Sequence, residues 1–246
     1  MTEPLFRDDA YLADCEATVI AHVDGGGVIL DRTVFYAMGG GQPGDTGTLA
    51  WDGGSMAVVD TRKHPGGIAH LAQPSDAGDA TSIAASLPLV GTTVRATLDW
   101  ERRLRHMRCH TALHLLSVVL AYPVTGGSIA AERGRLDFDM PEPPGEKGAL
   151  DAALAALVAA DHLVSTEWIT DAQLAANPGL VKTMAVQPPM GEGRVRLVRI
   201  GEGATPVDLQ PCGGTHVRRT GESGPVSLGK IEKKGKRNRR VTLLVG

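Results

Sequence analysis

Only three cysteines occur in the 246 residues, and Cys15, Cys109 and Cys212 stand far apart. They are too few and too scattered for a disulfide framework, which excludes the small stapled secreted scaffolds and points to a reducing cytoplasm. Aromatic residues make up 4% of the chain, so the core must be built from Val, Leu, Ile and Ala. The longest apolar run, around 113–124, is broken by His114, Ser117 and Pro123, so no membrane span is expected. The opening stretch MTEPLFRDDAYLADCEA is acidic and has no apolar signal core. Position 111 is Thr, not the Glu that a metalloprotease HExxH motif would need. The CxxC pairs of a zinc ribbon and the GK[ST] of a phosphate-binding loop are missing too. With no recognisable ATP-site motif, aminoacylation is not expected.

What is present fits a soluble globular protein of one large domain or two ordinary ones: 42% hydrophobic, 22% charged, with 31 Gly and 15 Pro to make turns. The net charge of −3 hides an asymmetry. Residues 1–92 hold 12 acids and 4 bases, whereas 93–246 hold 16 acids and 21 bases. A basic second half suits a polyanionic partner.

That half also carries two pairs of metal-ligand residues. His110-Thr-Ala-Leu-His114 lies in a run, 102–121, that is free of Pro and Gly and reads as helix. Residues four apart are one turn apart, so both imidazoles leave the same face. Cys212-Gly-Gly-Thr-His216 repeats the spacing 98 positions further on. Neutral imidazole and thiolate are the donors zinc prefers, and four of them fill a tetrahedron. His110, His114, Cys212 and His216 are therefore the expected zinc ligands.

Taken in order, residues 1–90 read as mainly β. Short alternating strands near 15–23, 28–34, 48–51, 56–60 and 68–71 suggest a small barrel. Between them, 39–47 has five glycines in nine positions, which composition alone reads as a long hairpin turn. A surface loop is expected at 73–81 and a domain boundary near 87–91, giving domains 1–90 and 93–246. A strand at 94–98 and the cap Asp99 lead into the histidine helix. Then follow a loop at 125–128, a strand at 135–140, a helix at 146–164 with Leu150, Leu154, Leu157, Val158 and Leu163 towards the core, and a short strand around Trp168. A helix at 171–176 precedes a strand at 194–200 with one wet, basic face. Two strands fill 226–245, joined at Gly235-Lys-Arg-Asn. The fold class expected is α+β, with a mixed or antiparallel sheet packed against helices in the second domain. Arg102 and Arg105 at the helix start are candidate phosphate contacts. So are Lys233, Lys234 and Arg237 in a run, 230–240, of seven bases and one acid.

HTALH and CGGTH, preceded by GGGQPGDTG and followed by GKRNRR, resemble the AlaX family, the free-standing relatives of the alanyl-tRNA synthetase editing domain. The resemblance runs over nearly the whole chain and keeps the motif order. It implies a barrel similar to elongation-factor domain 2 followed by an α/β editing domain. It also implies hydrolysis of mischarged aminoacyl-tRNA, chiefly Ser-tRNA(Ala) with Gly-tRNA(Ala) as a further substrate, at the acceptor end of tRNA(Ala). The same resemblance makes the two histidine-containing motifs the zinc site. The Gly-rich stretch of such proteins lies against the editing site, making Gln42 and Asp45 candidates to line it. Where that editing domain has Thr at the fourth place of its HTATH motif, this chain has Leu113, so Thr111, Thr125 and Thr215 are the candidate hydroxyl donors. Glu132 and Asp208 are weak candidates for a general base. Two other readings stay open: an RNA-binding module with a structural zinc, and a generic metal-dependent esterase. Monomer and homodimer fit equally.

Overall fold

Strands built on Val, Leu and Ala at every second position close a barrel over the first hundred residues of the computed structural model, which describes 1–73, 87–184 and 193–246. The chain divides into two compact units, 1–39 with 43–104, and 40–42 with 105–246.

In the first unit, β1 (Glu3–Pro4) pairs in parallel with β4 (Arg32–Thr33). The barrel consists of β2 (Asp14–His22), β3 (Gly27–Leu30), β5 (Gly47–Trp51), β6 (Gly54–His64), β7 (Gly67–Ala72) and β8 (Thr93–Leu98). They close antiparallel in the order β2-β3-β7-β6-β5-β8. Closure leaves no exposed edge. Strand β8 alternates buried and exposed residues along TVRATL, and Val94, Ala96 and Leu98 enter a core with Val19, Leu30, Phe35 and Leu49. The boundary expected near residue 90 precedes this strand, whose hydrogen-bond partners β2 and β5 are barrel strands. Asp45 is buried here, its carboxylate paired with the Arg103 guanidinium and accepting from Tyr36 N at 2.7 Å. The loop expected at 73–81 lies, from residue 74 on, outside the described residues.

Helix α1 (Trp100–Val119) starts where Asp99 Oδ1 accepts from Arg102 N at 3.1 Å, a side-chain N-cap. In the second unit, β9 (Val124–Ile129) and β10 (Arg133–Asp139) come next in sequence, then α2 (Lys147–Ala159), β11 (Val164–Thr170) and α3 (Asp171–Ala176). The chain continues through β12 (Arg194–Ile200) and β13 (Asp208–Pro211) to β14 (Val226–Lys233) and β15 (Asn238–Val245). They form two antiparallel sheets, β14-β15-β10-β9 and β11-β12-β13. The fold is α+β. Leu113, Leu116, Phe138, Leu154, Val241 and Leu243 are among the residues of its apolar core, with Leu150, Leu157 and Val158 packed against it. Among the described residues no helix is long and apolar enough to cross a membrane.

Two local expectations are corrected. Residues 125–128, expected as a loop, belong to β9, because β10 supplies a hydrogen-bond ladder that local composition does not reveal. The helix expected to reach 164 stops at Ala159. Asp161 takes a left-handed φ of 50°, and its carboxylate is held by Arg219 Nε at 2.5 Å and Gly221 N at 3.1 Å.

Candidate metal centre

The two ligand pairs meet. His110 and His114 leave α1 one turn apart, Cys212 and His216 come from the turn after β13, and one donor atom from each lies within 4.8 Å of all the others. Cys212 Sγ is 3.5 Å from His110 Nε2 and 3.3 Å from His216 Nε2. A zinc tetrahedron with Zn–S of about 2.3 Å and Zn–N of about 2.0–2.1 Å has an S–N edge of about 3.5 Å. Three imidazoles and one thiolate at these separations fit a metal ion, so the cluster could bind one.

Each imidazole is held through its other nitrogen. His110 Nδ1 is 2.9 Å from Gln42 Oε1, His114 Nδ1 is 2.8 Å from Asp208 Oδ2, and His216 Nδ1 is 3.1 Å from Thr111 Oγ1. Partners of this kind fix the ring and the tautomer of a ligating histidine. Asp208 is itself tied down, accepting from Gln210 Nε2 at 2.7 Å and from Lys182 Nζ at 2.5 Å. The turn is fixed from beneath by Arg196 on β12. Its Nη1 donates to Cys212 O at 2.9 Å and to Gly214 O at 3.0 Å. The wet, basic face expected for this strand therefore fails at Arg196, which is buried because the carbonyls of a tight turn need a donor inside the protein. Gly214 cannot carry a side chain, since a Cβ there would lie 2.2 Å from His110 Cε1.

Burial and the contacts among these groups shift them strongly. Burial alone would raise the Cys212 thiol, but its coupling to His110 and His216 and the hydrogen bonds from His110 and His114 hold it well below its ordinary value, as thiolate. Burial and the neighbouring His110 charge push His216 down to about 3, keeping it neutral. Burial opposes a charge on His114 too, yet the Asp208 hydrogen bond and the Cys212 thiolate outweigh it and raise the group to about 9. For Asp208, burial is likewise overcome, by His114 and Lys182, and its carboxyl lies well below the usual range.

The other sequence candidates divide. Gln42, Thr111 and Thr215 are fully buried around the cluster, with Gln42 Nε2 donating to Thr215 Oγ1 at 2.8 Å. Thr125 is half-buried on β9 and accepts from Asn238 Nδ2 at 2.9 Å. All partners named for Asp45 lie in the first unit, where it acts as a strut. Glu132 is exposed between β9 and β10. Arg102 is half-buried, its Nη2 3.3 Å from Gly44 O, and Arg105 is exposed. Lys233, Lys234 and Arg237 are exposed at the β14–β15 hairpin, with Lys234 paired to Glu232 and Arg237 to Asp139. Lys182, Gln210 and Arg196 were not legible as site residues. One signal was available: Asp208 and Gln210 are two apart on a strand just before Cys212, and so share a face.

Comparison with known proteins gives the family. Residues 11–102 match the family model described as tRNA synthetases class II (A), and residues 195–242 match threonyl and alanyl tRNA synthetase second additional domain. These two matches make the chain a relative of the tRNA synthetases. The Methanosarcina mazei alanyl-tRNA editing protein AlaX-M is 36% identical over 248 positions, covering 98% of this chain and 95% of that protein. The Methanosarcina acetivorans protein of the same name is also 36% identical, covering 98% of each. The alanine–tRNA ligase of Pyrobaculum calidifontis is 35% identical over 94% of this chain but 25% of its own length. The chain belongs to the AlaX family of alanyl-tRNA editing proteins, which are aminoacyl-tRNA deacylases.

Proposed function

We propose that the protein hydrolyses the ester bond of Ser-tRNA(Ala) in trans, with Gly-tRNA(Ala) as a second substrate, at a zinc site made by His110, His114, Cys212 and His216. The observation that carries this reading is the four-donor cluster in a member of the editing family. The need for such an activity is physical. A pocket that selects alanine rejects an added hydroxyl by only about 100-fold, so a second, hydrolytic site must supply the remaining discrimination.

When bound, zinc supplies a fixed positive charge beside the ester. The chain's own residues do the rest. Asp208, Gln42 and Thr111 hold the three imidazoles, and Arg196 holds the turn. Asp208 is buried and its oxygens are occupied by His114, Gln210 and Lys182, so it orients a ligand and does not serve as general base. The attacking water is positioned by the hydroxyl of the substrate's own terminal ribose. The editing domain is the unit that runs from Arg105 onward, and the barrel closed by β8 is the domain that precedes it. Arg102, Arg105, Lys233, Lys234 and Arg237 contact phosphates of tRNA(Ala) in the cytoplasm. A phosphate reaching Arg237 must compete with Asp139, whose two oxygens are each 2.9 Å from the guanidinium.

Deacylation of Ser-, Gly- and Ala-tRNA(Ala), measured side by side, tests the proposal. Ser-tRNA(Ala) should be hydrolysed fastest, and His110→Ala, at matched folding, should lower the rate by about 100-fold or more. Zinc-loaded protein that binds tRNA and leaves the ester intact would instead be an RNA-binding module. Turnover of small esters, unaffected by charge reversal at Lys233, Lys234 and Arg237, would mark a generic esterase.

A further inference from the structure

We propose that Gln42 is a positioning residue of the metal centre: it fixes the tautomer of His110 and fastens the helix ligand to the CGGTH turn. This rests on the metal reading above. Gln42 is 0% exposed, so it has no surface to offer a substrate. Its orientation is decided by hydrogen-bond direction. Thr215 N–H can only donate, so the Gln42 atom 3.2 Å from it must be the carbonyl oxygen Oε1. That same oxygen is 2.9 Å from His110 Nδ1, which must therefore carry the proton. In a neutral ring the lone pair is then left on Nε2, the atom that faces Cys212 Sγ at 3.5 Å. The amide's other end donates to Thr215 Oγ1, so both ends of the buried side chain are engaged within the cluster.

The backbone delivers the side chain to this place. Gly41 O accepts from Ile129 N at 2.9 Å, which ties the 40–42 segment to the end of β9. Among the three ligating histidines, His114 and His216 find their acceptors in Asp208 and Thr111, both beyond residue 105. His110 alone depends on the Gly-rich stretch, through a residue 68 positions upstream. The Gly-rich stretch thus completes the metal site through this side chain, and its glutamine touches a ligand and the turn between two others.

Gln42→Met removes the acceptor at similar length, Gln42→Glu keeps it, and Gln42→Asn retains an amide too short to reach. Zinc affinity by chelator competition and the absorption spectrum of the cobalt(II)-loaded protein are measured for each and for the parent. Gln42→Met and Gln42→Asn should bind zinc about 10- to 100-fold more weakly, with a changed cobalt spectrum, whereas Gln42→Glu should stay close to the parent. Should Gln42→Met not fold, Gln42→Asn and Gln42→Glu make the same comparison. Parent-like zinc affinity and cobalt spectrum in the variants lacking the acceptor overturn the proposal. A raised KM for aminoacyl-tRNA in those variants would then assign Gln42 to the substrate. A parent protein that binds no zinc at these four residues overturns the metal reading itself.

Discussion

Leu113 stands between the two histidines of α1, where the alanyl-tRNA synthetase editing domain has threonine. Its side chain is 4% exposed and packs with Cys109, Leu116 and Phe138 in the apolar core. A Cβ at Gly134 would come within 2.8 Å of it, so helix and sheet touch closely here. The position therefore answers to packing and not to the metal cluster. Leu113→Thr should destabilise the protein by about 1–3 kcal/mol, through a lost contact and a buried hydroxyl, in denaturant unfolding. The ratio of serine to alanine deacylation should not change.

At the scale of elements, the barrel contains its own pH-sensitive group. His70 on β7 is fully buried, with Nε2 2.7 Å from Thr33 Oγ1 and Nδ1 3.4 Å from Val28 O. Burial lowers it from 6.5 to about 4. The unfolded chain takes up this proton below about pH 6.5, whereas the folded barrel resists it until about pH 4. Its contribution is thus fully present above pH 6.5 and is lost as the pH falls through that window. The loss should reach about 3 kcal/mol, followed by urea unfolding between pH 7 and pH 4. His70→Gln should flatten that part of the profile.

For the whole molecule, a metal ion held by the four residues would be a folding ligand as well. Two donors come from a helix and two from a turn about a hundred positions later, and an ion bound only by the folded chain stabilises it by mass action. Stripping zinc should cost about 4 kcal/mol at a concentration 1,000 times the dissociation constant. A scan of thermal unfolding against free zinc should show the midpoint rising with the metal. A midpoint indifferent to zinc would mean that the four residues do not hold it in the native state.

The linear sequence determined the donors, their paired spacing, most strands and the capped helix, because these depend on side-chain chemistry and local periodicity. The α+β class followed from the same patterns. It did not reveal β9, whose glycines form a strand only because β10 pairs with them. Nor did it reveal that Gln42, Asp208 and Thr111 would each take one imidazole nitrogen, or that Arg196 would be buried beneath the turn. Those roles are set by which backbone and side-chain atoms meet across long separations in the chain, and only the tertiary structure brings such atoms within hydrogen-bonding distance.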